Sequence, residues 1–507
     1  MMSGKQPNIV FITPDQWRYD AMGSIQGSQV YTPNTDALRA RGFQFSTTYC
    51  DSPVCQSSRA SLVTGRHPRD HGLRDNHLTP WSGRKHFPWP DAHWTLPQRM
   101  RDAGYWTGLA GKMHFDLPPG PYSPDRKDVT ESAKAAADKV RQKFDETNDL
   151  RDTVPWIQRY GFDFVAEELD KTTLLSGTIT NYTAFLRERG LYDLWYRHHA
   201  AQSPTQPGIF TLSPEPLEPQ DTLDAYVGRQ ARNFLQQRPE DQPFFLWMAP
   251  VGPHPPYDAP EAYAARYRGL GASRQFTTPP PLPDNAYGEF IGWNIKGRTL
   301  AGAGDDIKAR AVEQYYANCT QVDAVIGGVV DELERLGLRG NTWIIINSDH
   351  GEMLGDHGFF GKSIFYHAAA RVPGIVVPPT GTDDRAGGEN ATPVQGLDLT
   401  ATILDIGNAS LEGHAGRSLL PAFRGEAEPE GAVIAEIADF AMLATEKWKL
   451  VVERNTLTPQ QLFDLQEDPE ESTDLQNTPE GRKITAELIA EHIAPFYAQS
   501  PQSDTFG

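Results

Sequence analysis

Cys55-Gln56-Ser57-Ser58-Arg59-Ala60-Ser61-Leu62-Val63-Thr64-Gly65-Arg66 combines a thiol, a run of small polar residues and an arginine four positions on. That texture predicts the first turns of a helix, with Gly65 as its stop. Cys55 and Arg59 then share one face, with the positive end of the helix dipole under the cysteine and a guanidinium fork beside it. Such a place holds a tetrahedral oxyanion against the sulfur, or against whatever replaces it. An isolated Cys-x-x-x-Arg fits a buried thiol beside a surface arginine equally well, so the weight falls on what else the chain brings there.

Four short apolar runs of strand character each end in residues able to do chemistry. Residues 8–13 are followed by Pro14, Asp15 and Gln16; 106–110 lead into Lys112 and His114; 243–249 precede His254; and 342–347, the clearest β run, precede Asp349 and His350. In an open α/β sheet, ligands bind at the carboxyl ends of parallel strands, so these ends are expected to converge. Alternation along the second run puts Lys112 and His114 on one face. Prolines on both sides of His254 restrict its backbone and suit a positioned ring. Two polar loops, 71–76 with Asn76 and the glycine-punctuated 356–362 with Lys362, are within reach of the same pocket. Taken singly, Asp15 reads as a cap and Asn76 as a turn residue; convergence is the argument.

Asp15, Gln16, Asp349 and His350 offer three oxygens and a nitrogen to a divalent cation. That donor set suits calcium, magnesium or manganese better than zinc. Arg59, Lys112, His114, His254 and Lys362 would surround an anion. Displacing an ester oxygen from sulfur or phosphorus needs these types: an activated nucleophile, cations for the non-bridging oxygens, and an acid for the leaving oxygen.

The elements that position these residues predict an α/β fold, a large mixed, mostly parallel sheet between helices, with a small α+β carboxy-terminal subdomain. Residues 1–424 are expected to form the catalytic domain and 425–507 the subdomain, which has short strands at 432–436 and 448–452 and a closing helix at about 480–494, before Pro495. Residues 116–242, Pro-rich at first, then charged and poor in strand-like runs, read as an insertion that shapes the substrate pocket. A Pro-rich link at 278–283 precedes a helix over 309–336, whose stripe of Val322, Val325, Ile326, Val329, Val330 and Leu333 faces a core; Cys319 on it reads as packing. Another packed helix is expected at 397–407.

The 507 residues carry a formal net charge of −19, spread along the chain. No global basic footprint for nucleic acid is present, so an anionic substrate must be drawn in by local cations. No apolar run reaches membrane-span length, and no secretory signal is visible, which leads to a cytoplasmic expectation. Cys50, Cys55 and Cys319 form neither a disulfide framework nor a zinc spacing; Cys50 and Cys55 could pair, but a reducing cytosol argues against it. A homo-oligomer is left open.

Cys55, Arg59, Leu62, Thr64 and Gly65 resemble the signature of the type I sulfatases of the alkaline phosphatase superfamily, in which a cysteine within Cys-x-Pro-x-Arg is oxidised to formylglycine. Ser57 stands where the family usually has proline. The resemblance extends to residues 462–471, similar to a segment near the sulfatase carboxy terminus. It implies that Cys55 is the formylglycine position, whose metal-bound hydrate attacks the ester, and that a formylglycine-generating enzyme is a partner. By the same resemblance, Arg59 and Lys112 hold nucleophile and sulfate, and His114 is the base that collapses the covalent intermediate. His254 and Lys362 bind sulfate and assist the leaving group, and Asp15, Asp349 and His350 bind the metal, calcium by preference. There is a physical reason for the conversion: a thiol is an unusual nucleophile beside a hard cation that prefers oxygen. Gln16 and His350, in place of a second aspartate and an asparagine, resemble the choline sulfatase and phosphonate monoester hydrolase branches.

The first expectation is therefore a sulfuric ester hydrolase acting on a small-molecule or carbohydrate sulfate. The alternative is a phosphonate monoester or phosphodiester hydrolase, against which the Lys112-Met113-His114 run stands. A third is an unmodified, inactive anion-binding homologue, for which Ser57 is the one support.

Overall fold

The computed structural model describes residues 6–76, 95–115, 131–201, 212–271, 276, 279, 281–298, 300, 303–382 and 387–499. Residues 116–130, with which the proposed insertion begins, and parts of the 278–283 link lie outside them.

The four apolar runs are the central strands of one eight-stranded sheet. We label them β1 (Asn8–Ile12), β2 (Trp106–Gly111), β3 (Phe244–Ala249) and β4 (Thr342–Ile346). They lie in the order β4-β1-β3-β2, all parallel, with Val10 opposite Ile344 on one side and Leu246 on the other. Phe164–Glu167 extends the sheet in parallel beyond β2. On the far side Ile375–Val377 and Phe43–Phe45 enter antiparallel steps, and Gly388–Asn390 closes the edge. The expected mixed, mostly parallel sheet is present.

Both faces of the sheet are covered, which is why these strands are almost wholly apolar. Ile9, Phe11, Phe245, Trp247, Trp343 and Ile345 enter one core, and Val10, Ile12, Leu246, Met248, Ile344 and Ile346 the other. The period-two alternation of each strand thus feeds two layers at once, each buried large side chain contributing about 1.5–3 kcal/mol. Helix Asp305–Arg335 packs its expected stripe into the second core. Cys319 is buried within it, and all three cysteines are free.

Within 116–242 the structure adds what the texture hid. Phe164–Glu167 is part of the main sheet, and helix Leu223–Gln237 packs Val227, Ala231 and Phe234 into the same core as β1 and β3. Much of this stretch is therefore built into the sheet and its covering layer.

The carboxy-terminal strands Ala432–Ile437, Phe440–Thr445, Trp448–Glu453 and Pro459–Asp464 form an antiparallel four-stranded meander. The second and fourth strands were not expected. The closing helix does not stop before Pro495: Pro479–Leu488 passes through a π turn, Ile489–Ile493, into Ala494–Ala498. Among the described residues no helix is long and apolar enough to cross a membrane.

Candidate active site

The cysteine stretch is a helix, α1 (Cys55–Thr64), with every residue buried and Gly65 as a left-handed cap at φ 67°. Its N-cap, Val54, has no side-chain oxygen to offer. Asn76 takes that part, its Oδ1 accepting the Gln56 N–H at 3.2 Å. Asn76 thus both caps the first turn and lines the adjoining cavity.

Parallel β1, β2, β3 and β4 deliver their carboxyl ends to the amino end of α1. Asp15 and Gln16 leave β1, with Gln16 at φ 70°. The Lys112 N–H donates to Ala249 O at 2.8 Å, continuing the β2–β3 pairing. Alternation does not place Lys112 and His114 on one face. β2 ends at Gly111, His114 turns to φ 63°, and the two side chains part: Lys112 inward, His114 onto the cavity wall. Positive φ at two non-glycine residues of one site marks backbone held by its surroundings.

A cavity of about 250 Å³ is lined by Gln16, Cys55, Asn76, His114, His254 and Lys362 from the expected set, together with Asp170, Thr172, Tyr257 and an apolar wall of Leu212, Pro255, Leu300 and Phe360. Asp15, Arg59, Lys112, Asp349 and His350 stand behind it, all buried. Among the described residues none of the lining side chains comes from 425–507.

Cys55 Sγ is the meeting point. Lys362 Nζ lies 2.8 Å away, His350 Nε2 3.2 Å and Asp15 Oδ1 3.8 Å. Burial pushes the thiol up, but Lys362, His350 and Lys112, with a hydrogen bond from His114, outweigh it and hold it well below its usual value. At Cys50 and Cys319 burial outweighs the neighbouring groups, and both are pushed well up. Of the three, the cysteine at the helix start is the one whose thiolate its surroundings favour.

Arg59 stands among the buried acids behind the cysteine. Its Nε donates to Asp349 Oδ2 at 2.9 Å, its Nη1 to Lys112 O, and Nη2 lies 3.4 Å from Asp15 Oδ2. Nε and Nη1 of the fork are engaged by a carboxylate and a carbonyl, while Nη2 makes no hydrogen bond. Lys112 likewise lies 2.8 Å from Asp15 Oδ2 and 3.5 Å from Asp170 Oδ2. Burial would raise the Asp15 carboxyl; Lys112, His254 and Lys362 overcome that and hold it well below the ordinary range.

The acidic side fits a divalent ion. Ligand atoms of Asp15, Cys55, Asp349 and His350 all lie within 4.8 Å of one another. His350 gives its Nδ1–H to Gly351 O at 2.8 Å, leaving Nε2 as the free lone pair toward the other donors. Gln16 is oriented from behind: its Nε2 donates to Glu352 and to Tyr257 Oη at 3.3 Å, which turns Oε1 inward, where Lys362 Nζ reaches it at 2.8 Å. The soft Sγ is the one donor that suits a hard cation poorly. On the cavity side, His254 gives its Nδ1–H to Pro255 O at 2.7 Å, leaving Nε2 free.

Sequence reasoning missed Asp170, Tyr257 and Glu352. Asp170 accepts from Thr173 N at 2.9 Å as the N-cap of a short helix, and Lys112 heads the cations that hold its carboxyl far down against burial. Nothing local in its stretch flags it. Glu352 stands two residues past His350, near enough for the strand-end argument to have included it.

Comparison with known proteins agrees with this geometry. The family model described as Sulfatase matches residues 7–409, and that for the N-sulphoglucosamine sulphohydrolase C-terminal region matches 355–495. The chain is 29% identical to a choline-sulfatase of Rhizobium meliloti (strain 1021), over 97% of this chain and 86% of that protein. It is 26% identical to an arylsulfatase of Clostridium perfringens (strain 13 / Type A), over 94% and 91%. Its fold is like that of the phosphonate monoester hydrolase of Agrobacterium radiobacter, with a TM-score of 0.75 at 22% identity, covering 97% of this chain and 96% of that one.

Proposed function

The chain belongs to the sulfatase family and is a sulfatase; from that premise we propose that it cleaves a sulfate monoester with an oxygen nucleophile, formylglycine, made from Cys55 by a formylglycine-generating enzyme. The observation that carries the reading is the place of Cys55: the first residue of α1, on the cavity wall, with Sγ 2.8 Å from Lys362 Nζ and 3.2 Å from His350 Nε2. Replacing sulfur by oxygen there also removes the one mismatch in the donor set.

Asp15, Gln16, Asp349 and His350, with position 55, would hold one divalent ion, calcium in preference to manganese or magnesium; when bound, it supplies positive charge to the nucleophile and the sulfate oxygens. The protein's own groups do the rest. Lys362 attracts the non-bridging oxygens of the ester, and Lys112 and Arg59 orient Asp15 and Asp349. His254, anchored through Nδ1, turns Nε2 toward the leaving oxygen and, as an imidazolium protonated on both nitrogens, passes it the Nε2 proton. His114, hydrogen-bonded to position 55, takes the proton that must leave that residue for the covalent sulfated enzyme to break down. Leu212, Pro255, Leu300 and Phe360 receive the alcohol part of the substrate. In this scheme residues 1–424 form the catalytic unit, 116–242 shape its pocket through Asp170, Thr172 and Leu212, and 425–507 form an appended unit.

The test is paired. Protein from a host with formylglycine-generating activity is digested with trypsin, the mass of the Cys55 peptide is measured, and turnover of an aryl sulfate and an aryl phosphonate is compared. Mass loss at Cys55 with faster sulfate turnover supports the proposal. Faster phosphonate turnover moves the protein to phosphonate or phosphodiester hydrolysis, and an unmodified Cys55 with neither activity makes it an anion binder.

A further inference from the structure

We infer a second metal site, for zinc, formed by His199, Glu215 and Asp258 outside the cavity described above. His199 comes from helix Tyr192–Ala201, Glu215 from the segment before helix Leu223–Gln237, and Asp258 from the segment following His254 and Tyr257. All three are buried, at 3%, 3% and 0% exposure, and their ligand atoms lie within 4.8 Å of one another.

His199 Nε2 is 3.5 Å from Glu215 Oε1 and 3.5 Å from Asp258 Oδ2, at the outer limit of hydrogen-bond length and too long for a well-formed bond to either. A single Nε2–H cannot lie along both directions, so a proton there leaves at least one buried oxygen poorly served. A cation between them serves all three: donors about 2.1 Å from a tetrahedral ion stand about 3.4 Å apart, close to the two separations from His199 Nε2. The opposite oxygens, Glu215 Oε2 and Asp258 Oδ1, are held by Lys171 Nζ at 3.1 and 2.8 Å. Lys171 thereby turns the free oxygens toward His199, the work that groups behind a metal's ligands do. With a neutral imidazole, two carboxylates against one ammonium leave a net negative charge. One imidazole and two carboxylates, with a fourth position for water, suit zinc.

The place gives the site its consequence. Lys171 follows Asp170 and Asp258 follows Tyr257, and both of those neighbours line the cavity. Zinc here would staple helix Tyr192–Ala201 to that wall. The inference does not depend on the sulfatase reading, because its readouts are stoichiometry and scattering rather than turnover.

The test uses the full chain, stripped with a chelator and reloaded with zinc, in an Asp349→Asn background that weakens the donor set at Cys55. Expected are one tightly held zinc equivalent after gel filtration, a tetrahedral absorption spectrum with cobalt in its place, and a Tm that rises with zinc. His199→Gln or Glu215→Gln added to that background abolishes all three. Failure of Asp349→Asn to bind zinc overturns the inference, as does full retention in a folded His199→Gln protein. If neither cluster variant folds, anomalous scattering at the zinc edge from zinc-loaded wild-type crystals decides: a peak between His199 and the two carboxylates supports the site, and its absence there overturns it.

Discussion

Lys362 Nζ lies 2.8 Å from Cys55 Sγ across 307 residues of chain. The ammonium sits on the cavity side of the cysteine, and α1 presents its positive end from beneath. The position therefore favours a negatively charged atom, whether thiolate or oxygen.

Lys362→Met removes that ammonium. In protein made without conversion, the Cys55 thiolate forms above its lowered pKa, so alkylation proceeds well below pH 9.0, the ordinary thiol value. The substitution moves the onset of alkylation to higher pH, measured by peptide mass across a pH series, while Cys50 and Cys319 stay unreacted in the folded protein. In converted protein, kcat falls by about 10²–10³, the usual cost of one electrostatic donor. An unchanged alkylation profile would contradict the role given to Lys362.

Arg59→Met leaves Asp15 and Asp349 buried without their guanidinium. Breaking a buried ion pair from one side costs about 3–5 kcal/mol, read as a lower urea midpoint at unchanged slope. Arg59→Lys restores the charge but not the fork that spans Asp349 and Lys112 O, so it recovers only part of the loss. Equal midpoints for all three proteins would show that Arg59 does not organise the acids.

Ser57→Pro is predicted to fold normally. Position 57 is the third residue of α1, where an N–H has no carbonyl four residues back within the helix, so proline removes no helical hydrogen bond. The Ser57 hydroxyl, moreover, has no hydrogen-bond partner to lose. Conversion of Cys55 is expected to rise, measured as the formylglycine fraction of the tryptic peptide at matched expression. A drop in Tm of many degrees would show that the first turn does not tolerate the ring.

His414 carries a pH dependence whose sign is opposite to that of a salt-bridged histidine. Burial and the nearby Arg99 push its pKa down to about 3. Between about pH 6.5 and 3 the unfolded chain therefore binds a proton that the folded chain refuses, and stability is lost as pH falls through that window. His414→Gln removes this penalty. Relative to wild type, the variant should gain up to about 1.4 kcal/mol per pH unit on acidification from 6.5, measured by urea unfolding at several pH values. The ring packs where a Gly65 side chain would be, its Cδ2 2.3 Å from an ideal Cβ there, so the titration bears on the cap of α1 itself. A pH-independent difference between the two proteins would refute the assignment.

The convergence of Asp15, Lys112, His254 and Asp349 was legible before any coordinates, because each follows an apolar run too short for a helix and parallel strands bring their carboxyl ends together. The helix at Cys55 and its stop at Gly65 were legible for equally local reasons. The inward turn of Lys112 was not, because it depends on a positive φ at Gly111 that strand alternation ignores. Nor were the second and fourth strands of the meander, which gain their place only by pairing with neighbours.

Residue types and their spacing along the chain were enough to determine the α/β class, the central strands and the helix that starts at Cys55, since strand length, period and helix stop are local properties. Which groups face the substrate was decided by the tertiary structure alone. Arg59 turned to Asp15 and Asp349, Glu352 turned the Gln16 amide, Asp170 entered the cavity from a stretch with no local signal, and Lys171 gathered Glu215 and Asp258 beside His199. These are choices of partner across long separations, set by burial: a charge taken out of water goes to the nearest opposite charge the fold supplies, and nothing in its immediate sequence names that partner.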